Sequence, residues 1–313
     1  MGRKLLLETT APFQGLPELV AFHEGLFEAE GLDVEFIERG QSAPTVTDTS
    51  ITSTEMVSPF LSHASSFEGG GAGMYNACEW GNYRRVQDSS VQGQQLGRRA
   101  IIAYGALVVA PGSPVYTPQQ LANRVIAVPY FAGTHYLALL MLEGFLPRDL
   151  IKTCQGPFGS GARYRSLMNG EIDATTLTEP YITVAEKAGC RVMILAPFHG
   201  TEVANQEVDA ETYASFNRAV RESVRRINAD KRKYLQYFID YYKSDPEVAA
   251  LTVDDLNLSR LQVVEPAPIP EDELERTYQW MLGWNMLDEG HGAQSLVDNQ
   301  RQGAAHRSAA TSE

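Results

Sequence analysis

Along the chain, short apolar runs alternate with stretches in which apolar positions recur every three or four residues. KLLLETT, residues 4–10, reads as a buried strand, and Pro12 and Gly15 mark the turn after it. Leu16, Leu19, Val20, Ala21, Leu26 and Phe27 then line one side of a helix that Gly31 stops, and LDVEFIE follows as a strand. A β-α-β unit thus closes within the first 38 residues.

Residues 41–54 are rich in hydroxyls and read as loop or extended chain, and SPFLSHASSFEGGG as a short amphipathic helix ended by Gly69 to Gly71. AGMYNA predicts a short strand, and RRAIIAYGALVVAP a strand pair or one long crossing strand. The alternation then repeats: VIAVPY, DATTLT and CRVMILAPF as strands, with AGTHYLALLMLEGF, GARYRSLMNGEI and EPYITVAEKAG as helices between them. Such alternation predicts a largely parallel sheet covered on both faces. Residues 209–243 form a long helical stretch with a break expected near Asn228 or Asp230, ELERTYQWMLGWNMLDEG gives a last helix, and 301–313 read as a disordered tail. The expected architecture is α/β and two-lobed: a first lobe over 1–105, a second over 106–198, a helical return to the first lobe over 199–300, and a ligand cleft between the lobes.

Composition narrows the function. The formal charge of −13 argues against nucleic acid as a partner, since that needs clustered Lys and Arg. No run of eighteen apolar residues predicts a membrane span. The three cysteines, Cys78, Cys154 and Cys190, show neither a paired nor a metal-ligand spacing, so no metal or disulfide framework is expected. MGRKLLLETT lacks the apolar core of a signal peptide, which gives a cytoplasmic expectation.

Three segments carry a family resemblance. AFHEGLFEAEGLDVEF, LANRVIAVPYFAGTHYLALLMLEGF and SLMNGEIDATTLTEPYITVAEKAG resemble corresponding parts of the SsuA-like solute-binding superfamily, whose fold is the type 2 periplasmic binding protein. That superfamily holds both carriers and enzymes. The resemblance therefore implies a small, anionic, planar organic ligand. The leading expectation is an intracellular, cofactor-free enzyme that removes a carboxylate or sulfinate; the alternative is the binding component of an ABC importer, with the permease as partner. AGMYNACEWG lacks the cysteine-rich run of thiamin-pyrimidine synthases, and TTAPFQ lacks the cysteine that a desulfinase carries near its first strand. NACE is similar to the Cys-Glu pair of dihydroxyphthalate-decarboxylase-like proteins.

The candidate site residues follow from strand ends. Cys78 is a candidate nucleophile, with Arg84, Arg85 or a histidine to stabilise its thiolate, and Glu79 a candidate acid or base if desolvated against Trp80. Trp80 itself is expected to wall the site. Gly133, Thr134 and His135 open a helix whose amide groups suit an anion, Thr134 also being placed to cap that helix. Glu179 either accepts first-turn amides or meets a ligand donor, and Tyr181 offers a ring and a hydroxyl. Pro12, Phe13 and Gln14 stand at the first strand-to-helix turn, where Phe13 contacts a flat ligand or joins the core. His63 reads as solvent-exposed.

Overall fold

The structure, a computed structural model, describes residues 2–8, 11–37, 67, 69–88, 93–290 and 292–298, with 301, 303, 304 and 307. His63, the stretch 41–54 and most of the segment 58–71 read as a helix lie outside the described residues.

Strand β1 (Arg3–Glu8) leads into α1 (Pro12–His23), which opens on Pro12, a residue with no N–H to lose in a first turn. The helix does not run on to Gly31. It breaks at Gly25, whose φ of 69° turns the chain into a second short helix, α2 (Leu26–Ala29), before β2 (Leu32–Ile37). β1 and β2 pair in parallel from Arg3↔Leu32 to Glu8↔Ile37.

After β3 (Met74–Cys78) comes α3 (Glu79–Asp88), then the single long strand β4 (Gly93–Val109). The alternating half supplies β5 (Val125–Val128), α4 (Gly133–Glu143), β6 (Lys152–Gln155), α5 (Ser160–Met168), β7 (Ala174–Thr178) and α6 (Tyr181–Lys187). A second long strand, β8 (Arg191–Asn205), returns. Asp230 ends α7 (Ala210–Ala229) and caps α8 (Lys231–Tyr241), accepting the Lys233 N–H at 3.2 Å, so the break falls where an Asx cap is available. α9 (Pro246–Ala249), β9 (Gln262–Val263) and α10 (Glu271–Leu282) complete the described elements.

The strand order is β2-β1-β3-β8-β4-β7-β5-β6, with β9 on β4. β5 is parallel to β6 and β7, whereas β8 is antiparallel to β3 and β4. The sheet is therefore mixed, because the two crossing strands run against each other. Their outer halves belong to different lobes, and the register slips between Arg98↔Thr201 and Ile102↔His199, four steps on β4 against two on β8. Such a bulge bends the pair and marks the junction between lobes.

Each face of this continuous sheet carries a core that passes the junction. On one face Leu7, Leu16 and Val20 join Phe216 of α7 and Leu177 and Ile182 of the second lobe. On the other, Trp80 and Tyr83 join Leu107, Leu137, Phe198 and Met281. Each such large side chain contributes about 1.5–3 kcal/mol by leaving water. α10 also spans the junction: Glu273 accepts from Arg98 on β4 at 2.6 Å, and Trp280 donates to Glu143 of α4 at 2.5 Å.

Candidate functional site

The carboxyl ends of β1 and β3 in the first lobe, and of β5, β6 and β7 in the second, all lie toward the junction. Pairing fixes this: Cys78 stands opposite Gly200 near the register slip, and Thr178 stands opposite Gly105 on the inner half of β4. Open α/β sheets place ligands at this edge.

Cys78 occupies the position before α3, and its Sγ accepts the Gly81 N–H at 3.3 Å. A sulfur there sits where the helix dipole favours negative charge. It is buried, and Gly133 of the second lobe packs directly on it. A Cβ at Gly133 would lie 2.7 Å from Cys78 Cβ, so only glycine permits this approach of α4 to β3. Arg84 turns to Asp288 at 3.4 Å, and Arg85 lies against Glu8 at 3.2 Å and over the Tyr75 ring.

Glu79 is desolvated, the condition set for an acid or base there, although a solvated carboxylate is the ordinary expectation at such a position. Tyr83 donates to Oε1 at 2.6 Å and the Arg98 guanidinium lies 3.4 Å from Oε2. Burial raises the Glu79 carboxyl above its ordinary value, while Arg98 and Tyr83 pull it back. The neighbouring His199, which the sequence did not single out, is brought down to about 4 by burial and by the charge of Arg98, so it is neutral at pH 7. Trp80 stacks on Tyr136 and Phe198 with centroids 6.0 and 5.9 Å apart, and Trp280 covers it from a third side. The expected wall is thus part of the core that joins the lobes.

In the second lobe, α4 starts at Gly133 with Ala132 in the cap position and no side-chain cap. Thr134 lies inside the first turn and does not cap it, because the helix begins two residues earlier than that role requires. His135 folds back: its Nδ1 accepts the Phe131 N–H at 3.1 Å, and burial takes the ring down to about 3, fixing it neutral. This bond holds Phe131 at φ 61°, a conformation that bulky residues adopt only under constraint and that clusters at ligand-facing turns.

Glu179 accepts the Thr183 N–H at 3.2 Å and pairs with Arg260 at 2.9 Å, which is the capping arrangement. Tyr181 lies beneath α5, where a Cβ on Gly161 would come within 2.5 Å of its hydroxyl, and that hydroxyl bonds Asp245. Pro12 and Gln14 are buried in the first turns of α1, and Phe13 packs against both core clusters at once. Cys78 and Gly133 are therefore brought together across the lobes, while Arg84, Glu179 and Tyr181 are each engaged elsewhere.

Between β6 and β7 lies a group that the sequence reading passed over. Ser160 opens α5 behind Gly159, again with no side-chain cap, and its Oγ is 3.1 Å from Thr178 Oγ1. Arg163, one turn on, is buried beneath them, and burial pulls its guanidinium down to about 9, still cationic at neutral pH. The signal was present as Gly-Ser-Gly at the start of a predicted helix. A shallow crevice too narrow for a water molecule lies in the first lobe beside Glu8, Glu18, Asn76 and Arg99. Among the described residues no group of three or more His, Cys, Asp or Glu is placed to hold a metal, and no helix is long and apolar enough to cross a membrane.

No family profile matches the chain, and no curated protein matches it in sequence. Solved structures do match in fold. The periplasmic aliphatic sulphonate binding protein SsuA from Escherichia coli superposes with a TM-score of 0.66 at 12% identity, over 95% of this chain and 92% of its own. The periplasmic nitrate-binding protein NrtA from Synechocystis gives 0.64 at 13% identity, over 100% and 89%. The desulfurization enzyme DSZB gives 0.61 at 14% identity, over 97% and 99%. The chain has the type 2 periplasmic-binding-protein fold.

Proposed function

We propose that this protein is a substrate-binding protein that holds a small organic oxyanion between its lobes and releases it unchanged to an importer. One observation carries the reading: α4 and α5 both open at the junction edge with first-turn amides that no cap side chain among the described residues satisfies. Such amides, at the positive ends of their helices, suit an anion. Fold relatives that bind sulphonate and nitrate support the same ligand class. This reverses the order of the two expectations, placing the carrier ahead of the lyase.

The lyase reading keeps second place on a separate observation, the Cys78 sulfur at the amino end of α3. One experiment separates them. The purified protein is denatured, and the released small molecules are identified by mass spectrometry. Thermal shifts are then measured with benzenesulfonate, methanesulfonate, benzoate and nitrate. An oxyanion that raises the melting temperature and is recovered intact supports the carrier. Recovery of a product that has lost its carboxylate or sulfinate sinks that reading in favour of the lyase.

A further inference from the structure

Arg163 is 3% exposed, yet among the described residues no carboxylate answers it. Its Nε donates to Thr176 O at 3.0 Å, Nη1 to Pro157 O at 3.0 Å and Nη2 to Ser160 Oγ at 3.4 Å. Besides burial, the ionisable neighbour that acts on it is Tyr242, a phenol that burial keeps protonated. Other buried arginines differ: Arg84 faces Asp288, Arg85 faces Glu8 and Arg99 faces Glu18, and the half-buried Arg98 faces Glu79 and Glu273. A desolvated charge without a counter-charge is costly, and an anion that arrives later would offset it.

The hydrogen bonds around Ser160 point to where that anion sits. Ser160 Oγ accepts the Thr178 N–H at 3.2 Å and the Arg163 Nη2–H, which fills both of its lone pairs. Its own proton must then go to Thr178 Oγ1, 3.1 Å away. Thr178 Oγ1, having accepted, keeps its own O–H to give, and among the described residues no acceptor takes it. Thr178 ends β7 at the junction edge, and Ser160 beside it is half-buried. Charge, hydroxyl and hydroxyl form a line from the interior of the second lobe to the cleft.

We propose that Arg163, acting through Ser160, turns the Thr178 hydroxyl into a donor for one oxygen of a fully ionised oxyanion, so that the site selects acceptor-only anions over their uncharged counterparts. The inference rests on the binding reading above and adds its selectivity. Thr178 is the contact, and Arg163 and Ser160 are positioning residues.

The test is calorimetric titration of the full chain with benzenesulfonate and with methyl phenyl sulfone, its uncharged counterpart. Wild type is expected to prefer the sulfonate by about tenfold or more. Thr178→Val, nearly the same shape, should bind the sulfonate about tenfold more weakly and the sulfone, whose uncharged oxygens accept more weakly, with a clearly smaller loss. Arg163→Gln should lose the preference for charge, and Arg163→Lys should restore part of it. A merely structural Arg163 would weaken both probes alike, and that result overturns the proposal. Should Arg163→Gln not fold, Thr178→Val decides: sulfonate affinity equal to wild type rules the relay out while leaving the binding reading standing. If wild type binds neither benzenesulfonate nor nitrate, the binding reading itself falls.

Discussion

The two lobes treat their most deeply buried arginines differently. In the first, Arg85 and Arg99 are each set against a carboxylate, and Glu202 is held by the Tyr213 hydroxyl at 2.9 Å. In the second, Arg163 is surrounded by carbonyls and a hydroxyl. Paired charges specify packing within the lobe, because each charge is offset by its opposite. A charge left without its opposite keeps its field for whatever enters the cleft. The contrast suggests which lobe is scaffold at this edge and which one discriminates.

The strongest way to break this comparison is to remove one member of a first-lobe pair. Arg99→Met leaves Glu18 buried without its cation, and should cost about 3–5 kcal/mol in urea unfolding. Arg163→Met removes a charge that has no counter-charge and orphans three acceptors, so a smaller loss, about 1–3 kcal/mol, is expected from the same measurement. Equal losses would mean that Arg163 is as much a structural ion as Arg99.

A pH titration sharpens the first-lobe side. Burial, with the nearby Glu18 charge, pushes Glu202 up from 4.5 to about 8. The folded state therefore binds this proton more tightly than the unfolded chain. The resulting stability is fully present below about pH 4.5 and is lost as pH rises through about 8. Wild type should lose up to about 1 kcal/mol per pH unit across that window, and Glu202→Gln should flatten the slope. A slope unchanged in the variant would assign the effect to another group. The smallest effect belongs to Cys78→Ala. Stability should fall by about 1 kcal/mol or less, since only one buried sulfur is removed. Anion affinity should stay within about twofold of wild type, a change of under half a kcal/mol. Loss of turnover with binding retained would instead revive the lyase.

Much of the fold was legible because single elements declare their own pattern. The second-lobe halves of β4 and β8 follow from RRAIIAYGALVVAP and CRVMILAPF, whereas GQQLG and HGTEVAN, small and polar, gave no strand signal for the first-lobe halves; the α7–α8 break follows from Asn228 to Asp230, where a cap is available. α3 was not foreseen, since EWGNYRRVQD places Gly81 and Asn82, both turn formers, in its first half. Tertiary contacts override them: the Asn82 amide donates to Thr201 O at 2.9 Å and Oγ1 at 2.8 Å, satisfying the backbone of β8 at the slip. Trp80, Tyr83 and Val86, at intervals of three, were the faint helical signal. At the site, strand ends located Cys78 and Gly133 correctly at the junction edge. They could not tell that Tyr181 would be drawn under α5, or that Ser160, Arg163 and Thr178 would meet, because those contacts join separate strand ends.

The crossing strands also set the order in which the molecule can be built on the ribosome. β4, β5, β6 and β7 have all emerged by residue 178, and they are mutually paired neighbours in the sheet. β3, by contrast, pairs through Met74↔Ala204 and Cys78↔Gly200 with a strand synthesised long afterwards. The second lobe can therefore pair four of its strands before β8 is made, while the flanks of β3 and of β4 that β8 will cover are both still bare. An open strand edge of this kind invites pairing with other chains. The nascent protein is thus most exposed to misassembly during the interval between translation of β3 and of β8.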